Sequence, residues 1–320
     1  MSQNLVDTAL DRTIVLGYSR PGLSLRRRLP GWPPDPPRID GSVVLVTGAA
    51  SGIGLAACAG FARLGATVLA LGRSPESAQA AVAHVVQEVP GADIRPLACD
   101  LSSLHDVRAF ADRLADDLPR LDVLVNNAGV MPPRRQRSAE GHELMFATHV
   151  LAPFALTAWT RELLQRSAPA RVINISSGGM YTQSIRAHDL ESDHEPYSPK
   201  KLYARSKRAL VAISQSWAQR LGGAGVVVHA MHPGWADTAG VRQAMPAFRS
   251  IIGPIIRSAE EGADTVVWLG AAPQALESTG GFWEDRRRRP TAYALGPRAP
   301  DDVERQILWD YCDAAIRAAS

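Results

Sequence analysis

Short apolar runs alternate with longer amphipathic segments from residue 42 to the end of the chain. The run 43–46 is continuously apolar, which is typical of a strand buried on both faces of a parallel sheet. Further strands are predicted at 67–71, 94–98, 123–126, 172–176, 226–230 and, at a sheet edge, 281–283. Helices are predicted at 52–64, 76–88, 104–118, 139–165, 202–221, 258–269 and 301–319. This alternation predicts an α/β fold with a doubly wound parallel sheet.

Residues 1–40 do not follow this alternation. Segment 15–29 mixes apolar residues with arginines, and the prolines of 31–37 exclude a regular helix or a central strand. We expect a loosely packed N-terminal extension over 1–40, with docking or peripheral contact with a membrane surface as the alternative. A single Rossmann-fold domain is expected over 41–285, followed by a C-terminal basic segment and helix over 286–320.

The composition narrows the class of protein. The 320-residue chain has a formal net charge of +3, and its two basic runs, at 26–28 and 286–289, are expected to be solvated. They are too short to form a nucleic-acid-binding face. Three cysteines without metal-ligand spacing favour a reducing compartment. Because the sequence shows neither a membrane-length apolar stretch nor a signal peptide, the expected location is the cytoplasm.

A glycine-rich turn, Thr-Gly-Ala-Ala-Ser-Gly-Ile-Gly at 47–54, lies between the first predicted strand and the first predicted helix after it. Glycines at such a turn let backbone N–H groups approach a pyrophosphate, and the helix N-terminus then faces the anion. The turn lacks the Lys-Ser/Thr pair of a P-loop, which disfavours nucleotide hydrolysis. The sequence therefore predicts a dinucleotide site at Gly48, Ser51, Gly52, Ile53 and Gly54.

Arg73 follows the second strand, about twenty residues after the glycine-rich turn. An enzyme that uses NAD usually has an acidic residue there, which binds the ribose 2′-hydroxyl. An arginine instead suits a 2′-phosphate, because a guanidinium makes charge-assisted hydrogen bonds with it. The predicted cofactor is therefore NADP, with NAD still possible, and an arginine that merely lies on the surface is the alternative interpretation.

Tyr203 and Lys207 are four residues apart at the start of a predicted helix and therefore share one face. Reduction of a carbonyl needs a group that protonates the nascent alkoxide, and a neighbouring ammonium helps tyrosine to become a phenolate. Tyr197 and Lys201 have the same spacing, but Pro199 between them makes a poor helix interior. Tyr203 is therefore the predicted acid/base residue.

The glycine spacing, Asn-Asn-Ala-Gly at 126–129 and Tyr-Ala-Arg-Ser-Lys at 203–207 together resemble the short-chain dehydrogenase/reductase family. The resemblance covers residues 40–285, and segments 176–180 and 232–238 look most like the subgroup of dehydrogenase/reductase family member 12. It implies hydride transfer between NADP(H) and an alcohol or carbonyl substrate. It also implies a homo-oligomer, a dimer or tetramer that associates through the long helices.

The resemblance implies roles for further residues. Ser177 would hydrogen-bond the substrate carbonyl, with Ser176 as the alternative, and the charged segment 186–200 would form a surface loop near the substrate mouth. Further cofactor contacts are implied at Asp100, Leu101, Asn127, Ala128, Gly129, Pro233, Gly234 and Thr238, besides Tyr203 and Lys207.

His149 departs from the family pattern, because it occupies the place of a catalytic asparagine. In the family, a kink in this helix lets a backbone carbonyl hold a water molecule that connects the lysine to solvent. Pro153 has no N–H, so the carbonyl of His149 loses its helical partner and could still hold that water. A preserved proton relay and impaired or redirected chemistry are both open at this point.

Segment 236–257 carries apolar residues at spacings of three and four, interrupted by Gly253-Pro254. The resemblance implies a lid over the substrate there, so we expect an apolar substrate; a core or subunit contact is the alternative. The leading interpretation is an alcohol dehydrogenase or carbonyl reductase that uses NADP. The alternative is a catalytically weak dinucleotide-binding scaffold or redox sensor, whereas a methyltransferase would leave the Ser, Tyr and Lys set unexplained.

Overall fold

The structure, a computed structural model, describes residues 5–237 and 253–319. One sheet of eight strands runs through the protein in the order β3-β2-β1-β4-β5-β6-β7-β8. The strands are β1 Val43–Thr47, β2 Thr67–Gly72, β3 Ile94–Ala98, β4 Val123–Asn126, β5 Ala170–Ile175, β6 Val226–Met231, β7 Phe282–Glu284 and β8 Arg287–Arg289. Neighbouring strands are parallel except for β7 and β8. The prediction of a doubly wound α/β sheet is confirmed.

Helices cover both faces of the sheet. They are α1 Leu5–Arg12, α2 Ile14–Tyr18, α3 Arg20–Arg27, α4 Gly52–Arg63, α5 Pro75–Glu88, α6 Leu104–Asp117, α7 Leu144–Phe146, α8 Ala152–Trp159, α9 Arg161–Arg166, α10 Pro199–Leu221, α11 Ala259–Ala271 and α12 Asp302–Ala318. Successive side chains of a strand point to opposite faces, so Leu45 joins one hydrophobic cluster while Val44 and Val46 join the other. The central strands are therefore apolar throughout, as the sequence predicts.

The predicted helix over 139–165 is wrong in its start and in its regularity. Residues 139–143 are not helical, and a π-helical turn, Ala147–Leu151, separates α7 from α8. Pro153 lies in the first turn of α8 and cannot donate to the carbonyl four residues before it, which accounts for an irregular turn at this place. The irregularity falls at His149.

The predicted edge strand at 281–283 is found as β7, but β8 pairs with it and forms the sheet edge instead. Asp285 and Arg286 have φ values of 51° and 55° and form the two-residue turn between these strands. The sequence lacks the glycine that usually marks such a turn. The predicted domain boundary after residue 285 therefore falls inside a hairpin.

The prediction of a loosely packed N-terminal extension is wrong for the residues that the structure describes. Tyr18, Leu23 and Arg26 of this segment are buried, and Arg26 forms a hydrogen bond of 2.6 Å with Asp285. The two basic runs are likewise not simply solvated, because Arg26 and Arg286 are both buried and paired with carboxylates. Their partners lie far away in sequence, so the composition of each run could not reveal them.

Helix α12 packs against the short helix α8 and the long helix α10. Its residues Leu308, Cys312 and Ile316 belong to the larger hydrophobic cluster. The ring of Trp309 lies 4.7 Å from that of Trp217 in α10 and 4.8 Å from that of Phe154 in α8. Part of the surface on which the expected oligomer depends is thus covered by the chain itself, and the homo-oligomer stays a prediction.

Candidate active site

The glycine-rich turn is packed too tightly for side chains. Gly48 and Gly52 have φ values of 66° and 55°, a region that favours glycine. A Cβ atom at Gly54 would lie 2.2 Å from the carbonyl oxygen of Gly48, and one at Gly48 would lie 2.8 Å from the Cα of Ala128. These glycines therefore bring the end of β1, the start of α4 and the end of β4 into direct backbone contact.

Asn127 holds the ends of β1 and β4 together. Its Nδ2 donates to the carbonyl oxygen of Thr47 at 2.8 Å and to that of Gly48 at 3.2 Å. The Thr47 hydroxyl in turn accepts from the backbone N–H groups of Asn127 and Ala128, at 2.9 and 3.0 Å. Strand order reverses between β1 and β4, and a crevice at such a point is where doubly wound sheets bind nucleotides.

The residues around this crevice fit a dinucleotide that carries a 2′-phosphate. The backbone at Ser51, Gly52 and Ile53 begins α4, and the Ser51 side chain makes no cap hydrogen bond. Arg73 is exposed beyond β2, and among the described residues no carboxylate pairs with its guanidinium. Asp100, which accepts from Ser102, and Leu101 follow β3 at the same edge of the sheet. Backbone donors and a free cation are what such a cofactor requires.

Ser177, Tyr203 and Lys207 come together beyond the carboxyl end of β5. The Ser177 hydroxyl accepts from the N–H of Gly179 at 3.1 Å, and it lies close enough to Tyr203 to lower the pKa of the tyrosine. Lys207 Nζ lies 5.9 Å from the centre of the Tyr203 ring and donates to the carbonyl oxygen of Ile175 at 2.8 Å. The spacing of four residues in α10 thus places Tyr203 and Lys207 near each other at the carboxyl end of β5.

Burial shifts the pKa values of this group. Burial raises the pKa of Tyr203 above its usual value, and the hydrogen bond with Ser177 offsets part of the shift. Burial lowers the pKa of Lys207 to about 7. At neutral pH the tyrosine therefore keeps its proton, whereas the lysine changes its charge near this pH.

The alternative serine and tyrosine are engaged elsewhere. Ser176 is buried, and its hydroxyl donates to the carbonyl oxygen of Lys207 at 2.8 Å. Tyr197 lies in the loop before α10, and its hydroxyl donates to the carbonyl oxygen of Pro132 at 2.6 Å. The geometry therefore favours Ser177 and Tyr203 over both alternatives.

His149 is fully buried in the π-helical turn. Its Nε2 accepts from the backbone N–H of Val130 at 2.9 Å, so the proton must lie on Nδ1. Nδ1 then donates to the Ser206 hydroxyl at 2.8 Å, and that hydroxyl donates to the carbonyl oxygen of Tyr203 at 2.9 Å. Burial, together with the charge of Lys207, holds the pKa of His149 well below its usual value. The neutral His149 ring therefore connects the backbone of Val130, through the Ser206 hydroxyl, to the backbone of Tyr203 by hydrogen bonds.

Pro233 and Gly234 follow β6, the strand next to β5 in the sheet. The carbonyl oxygen of Pro233 accepts from Arg257 Nη1 at 3.2 Å, and Gly234 has a φ of 73°. A Cβ atom at Gly234 would lie 2.3 Å from the Arg257 guanidinium, which explains the glycine. Thr238 lies outside the described residues, as does most of the predicted lid over 236–257.

The segment 186–200 is anchored more firmly than the predicted surface loop. Glu191 within it is buried, and its carboxylate accepts from the N–H of Glu143 and from Nδ1 of His142, both at 2.6 Å. The hydroxyl of Tyr311 in α12 donates to the same carboxylate at 2.5 Å. Burial alone would raise the pKa of Glu191, but these donors outweigh it and lower the pKa. Its partners lie in distant parts of the sequence, so no local signal revealed this role.

Comparisons with known proteins agree with this geometry. A family model described as short chain dehydrogenase matches residues 42–247. The chain belongs to the short-chain dehydrogenase family. This dehydrogenase is 36% identical over 272 residues to human dehydrogenase/reductase SDR family member 12, covering 85% of both chains. It is 33% identical over 300 residues to mouse retinol dehydrogenase 14, covering 88% of both chains.

Solved structures of the family contain the expected cofactor. The NADP complex of RhlG from Pseudomonas aeruginosa matches with a TM-score of 0.64 and 27% identity, covering 77% of this chain and 94% of that one. A short-chain dehydrogenase from Escherichia coli CFT073 complexed with NADPH matches with a TM-score of 0.64 and 25% identity, covering 79% and 100%. The predictions of an oxidoreductase, of NADP as its cofactor and of the subgroup resemblance are confirmed.

Of the helices within residues 5–237 and 253–319, none combines the length and the apolar composition that crossing a membrane requires. The same residues include no group of three or more His, Cys, Asp or Glu side chains arranged to hold a metal ion.

Proposed function

We propose that this short-chain dehydrogenase interconverts an alcohol and a carbonyl, with Tyr203 as the group that moves the proton. The nicotinamide of the bound cofactor supplies or accepts the hydride. The observation that carries the proposal is the cluster of Ser177, Tyr203 and Lys207 beyond β5, at the carboxyl edge of the sheet where the glycine-rich turn also lies.

Each residue of the cluster has a separate task in carbonyl reduction. Ser177 holds the substrate oxygen by a hydrogen bond, next to the Tyr203 hydroxyl. The O–H bond of Tyr203 breaks as its proton passes to the alkoxide oxygen, which leaves a phenolate and an alcohol. A protonated Lys207 stabilises the phenolate, and no described carboxylate competes for its charge. In alcohol oxidation the same proton moves in the opposite direction.

His149 positions this machinery in place of the usual asparagine. Its neutral ring connects the N–H of Val130 to Ser206, and through Ser206 to the backbone of Tyr203. The π-helical turn and the missing N–H of Pro153 support a free carbonyl at His149. These features support a preserved proton relay over impaired chemistry.

The proposed substrate is apolar. The apolar spacing in 236–257 supports this, as does similarity to a relative named for retinol, mouse retinol dehydrogenase 14. Each methylene buried by a lid should contribute up to about 0.8 kcal/mol, equivalent to about fourfold in kcat/KM. We therefore expect kcat/KM to rise with chain length in a homologous series of aldehydes assayed with NADPH. A flat series, or a preference for small charged carbonyls, would remove this part of the proposal.

Tyr203→Phe tests the acid/base role directly. It removes the transferable proton but keeps the ring, so we expect turnover to fall by about 100-fold or more while NADPH affinity changes little. Tyr197→Phe is the matched control, because it removes a hydroxyl that binds Pro132 outside the cluster. Steady-state kinetics and NADPH fluorescence titration measure both quantities. Loss of turnover in Tyr197→Phe alone would show that the wrong tyrosine was chosen.

A catalytically weak scaffold or redox sensor is the second candidate function, because His149 stands where the family has an asparagine. The two candidates differ in one comparison, which is NADPH binding against turnover on a panel of carbonyls. Tight binding without turnover of any member would favour the scaffold.

A cytoplasmic location is also proposed, supported by the free, buried thiols of Cys58, Cys99 and Cys312.

A further inference from the structure

Three consecutive carbonyl groups of the N-terminal segment are bound by the body of the protein. The carbonyl oxygen of Gly17 accepts from Arg26 Nη1 at 2.8 Å and from Arg257 Nη2 at 3.0 Å. The next carbonyl oxygen, that of Tyr18, accepts from the N–H of Trp235 at 2.8 Å, and that of Ser19 accepts from Arg257 Nε at 3.3 Å. The backbone on both sides of Tyr18 is therefore held in place.

Two buried guanidinium groups make this attachment rigid. Arg257 forms two hydrogen bonds with the carboxylate of Asp285, at 2.7 and 2.9 Å, and Arg26 forms a third with it at 2.6 Å. Arg26 also donates to Asp7 at 3.0 Å, which ties α1 to α3. Both arginine side chains are about 1% exposed or less. Charge-assisted bonds of this kind are strong and directional, so the segment has one well-defined docking position.

The Tyr18 ring lies between two active-site segments. It contacts Gly178, where an added Cβ would lie 2.6 Å from its Cε2 atom, and Gly178 directly follows Ser177. On the other side its centre lies 4.4 Å from the ring of His232, which directly precedes Pro233. The N–H of Gly178 donates to His232 Nδ1 at 2.9 Å, so the two segments also contact each other at this ring.

We propose that Tyr18 is a positioning residue of the active site, whose ring sets the separation between the Ser177–Gly178 turn and the segment 232–235. The N-terminal segment thereby becomes a structural part of the substrate pocket. This inference rests on the proposed function for its catalytic consequence, but the placement of the two segments does not depend on turnover. Without the ring, Gly178 loses its steric boundary, and the Ser177 hydroxyl moves relative to Tyr203.

The first test measures local order without requiring activity. We expect Tyr18→Ala to accelerate hydrogen–deuterium exchange by about tenfold in peptides covering 176–182, because the amides of Gly178 and Gly179 lose their fixed acceptors. Tyr18→Phe keeps the ring and should exchange like the wild type. Val15→Ala, at an exposed position of the same helix, is the matched control. Unchanged exchange in a folded Tyr18→Ala variant would overturn the proposal.

The second test measures turnover. We expect kcat/KM with NADPH and a carbonyl substrate to fall by about 10- to 100-fold in Tyr18→Ala and to stay within about twofold in Tyr18→Phe and Val15→Ala. A normal kcat/KM in Tyr18→Ala, with activity still lost in Tyr203→Phe, would overturn the role of Tyr18 and leave the proposed function intact. If the wild type turns over no carbonyl, the proposed function fails, and the exchange measurement still decides the placement role.

A double-mutant cycle separates positioning from general stability. A Cβ atom at Gly178 would lie 2.6 Å from Tyr18 Cε2 and 2.8 Å from His232 Nε2, so Gly178→Ala should clash with both rings in the wild type and lower kcat/KM. In the Tyr18→Ala background only the clash with His232 is left, so the same substitution should cost less there. Equal costs in both backgrounds would mean that the ring and the turn act independently, which would also overturn the proposal.

Discussion

Two buried cations, Lys207 and Arg26, differ in whether a carboxylate lies next to them. Lys207, beside Tyr203, donates to a backbone carbonyl, and no described carboxylate forms an ion pair with it. Arg26, at the junction with the N-terminal segment, pairs with Asp7 and Asp285. Burial lowers the pKa of Lys207 to about 7. Burial would lower the pKa of Arg26 as well, but the nearby carboxylates outweigh it and raise that pKa.

Whether a buried cation is paired with a carboxylate indicates which role it suits. The paired Arg26 suits a structural role, whereas Lys207 suits a role in binding or catalysis. Where Arg26 meets Asp285, burial alone would raise the pKa of Asp285, but Arg257 and Arg26 hold it below its usual value, so each of these charges already has a partner. Charges that are paired in this way hold segments in place and leave little charge for a ligand. Among the residues that the structure describes, no carboxylate pairs with Lys207, so its ammonium is best stabilised when an anion forms beside it, as the phenolate of Tyr203 would.

Removal of the central carboxylate should have the largest effect. Asp285→Asn keeps the size of the side chain and tolerates the φ of 51°, but it removes the nearer of the two carboxylates that Arg26 and Arg257 share and leaves them only Glu284 in common, at 3.5 and 3.7 Å. We expect the free energy of unfolding to fall by about 3 kcal/mol, as measured by urea denaturation. Asp40→Asn breaks an exposed pair with Arg38 and should cost at most about 1 kcal/mol. Equal losses would mean that the junction is not balanced by these ions.

Replacement of Lys207, the buried cation without a carboxylate partner among the described residues, should change the free energy of unfolding by an amount that depends on pH. The Lys207 amine loses its proton near pH 7 when folded, whereas the unfolded chain holds it up to its ordinary pKa of 10.5. Between these values the unfolded state holds a proton on Lys207 that the folded state has lost, so the contribution of Lys207 to the free energy of unfolding should rise with pH. Relative to Lys207→Met, the free energy of unfolding of the cofactor-free wild type should increase by about 2 kcal/mol from pH 7 to 9.

Lys201→Met, at an exposed position, is the control for this pH dependence and should show no such difference. Parallel stability curves for the wild type and Lys207→Met would contradict the comparison. They would show that Lys207 is charged over the whole range and therefore has an unrecognised anionic partner.

The smallest expected effect concerns an exposed cation that is available to a ligand. Arg73→Asp removes the proposed partner of the 2′-phosphate and introduces an acceptor for a 2′-hydroxyl. We expect NADPH affinity to fall by about tenfold, near 1.4 kcal/mol, and NADH affinity to rise, as measured by fluorescence titration. Thermal stability should change little, because the side chain is exposed. If the wild type binds NADH as well as NADPH, Arg73 does not select the cofactor.

The cofactor side of the site was predictable because its signals are local. The glycines of 47–54 adopt the close backbone approach that their spacing predicts, and Tyr203 and Lys207 meet because a helix brings residues four apart onto one face. The strands at 94–98 and 123–126 are found with their predicted bounds for the same reason. Roles for these side chains in binding and catalysis stay predictions until the variants are measured.

The part of the site around Ser177 and His232, against which the N-terminal segment packs, depends on contacts between residues far apart in sequence, which no local pattern encodes. Arg26 and Asp285 are 259 positions apart, and Arg257 reaches Gly17 across 240 positions. The sequence showed only short basic runs there, which led to the wrong expectation of solvated arginines. The protonation of His149 could likewise not be predicted from the sequence. Its proton lies on Nδ1 because the fold brings the N–H of Val130 to Nε2.

The sequence by itself determined the alternation of strands and helices from β1 to β4, the backbone crevice for a dinucleotide and the pairing of a tyrosine with a lysine. Periodicity, glycine conformation and helical spacing act between near neighbours, so they can be read along the chain. Only the tertiary structure decided that Tyr18 and its neighbours pack against Gly178 and His232, which carboxylate pairs with which arginine, and that no carboxylate of the described residues pairs with Lys207. Charges find partners through space, and that choice exists only once the chain has folded.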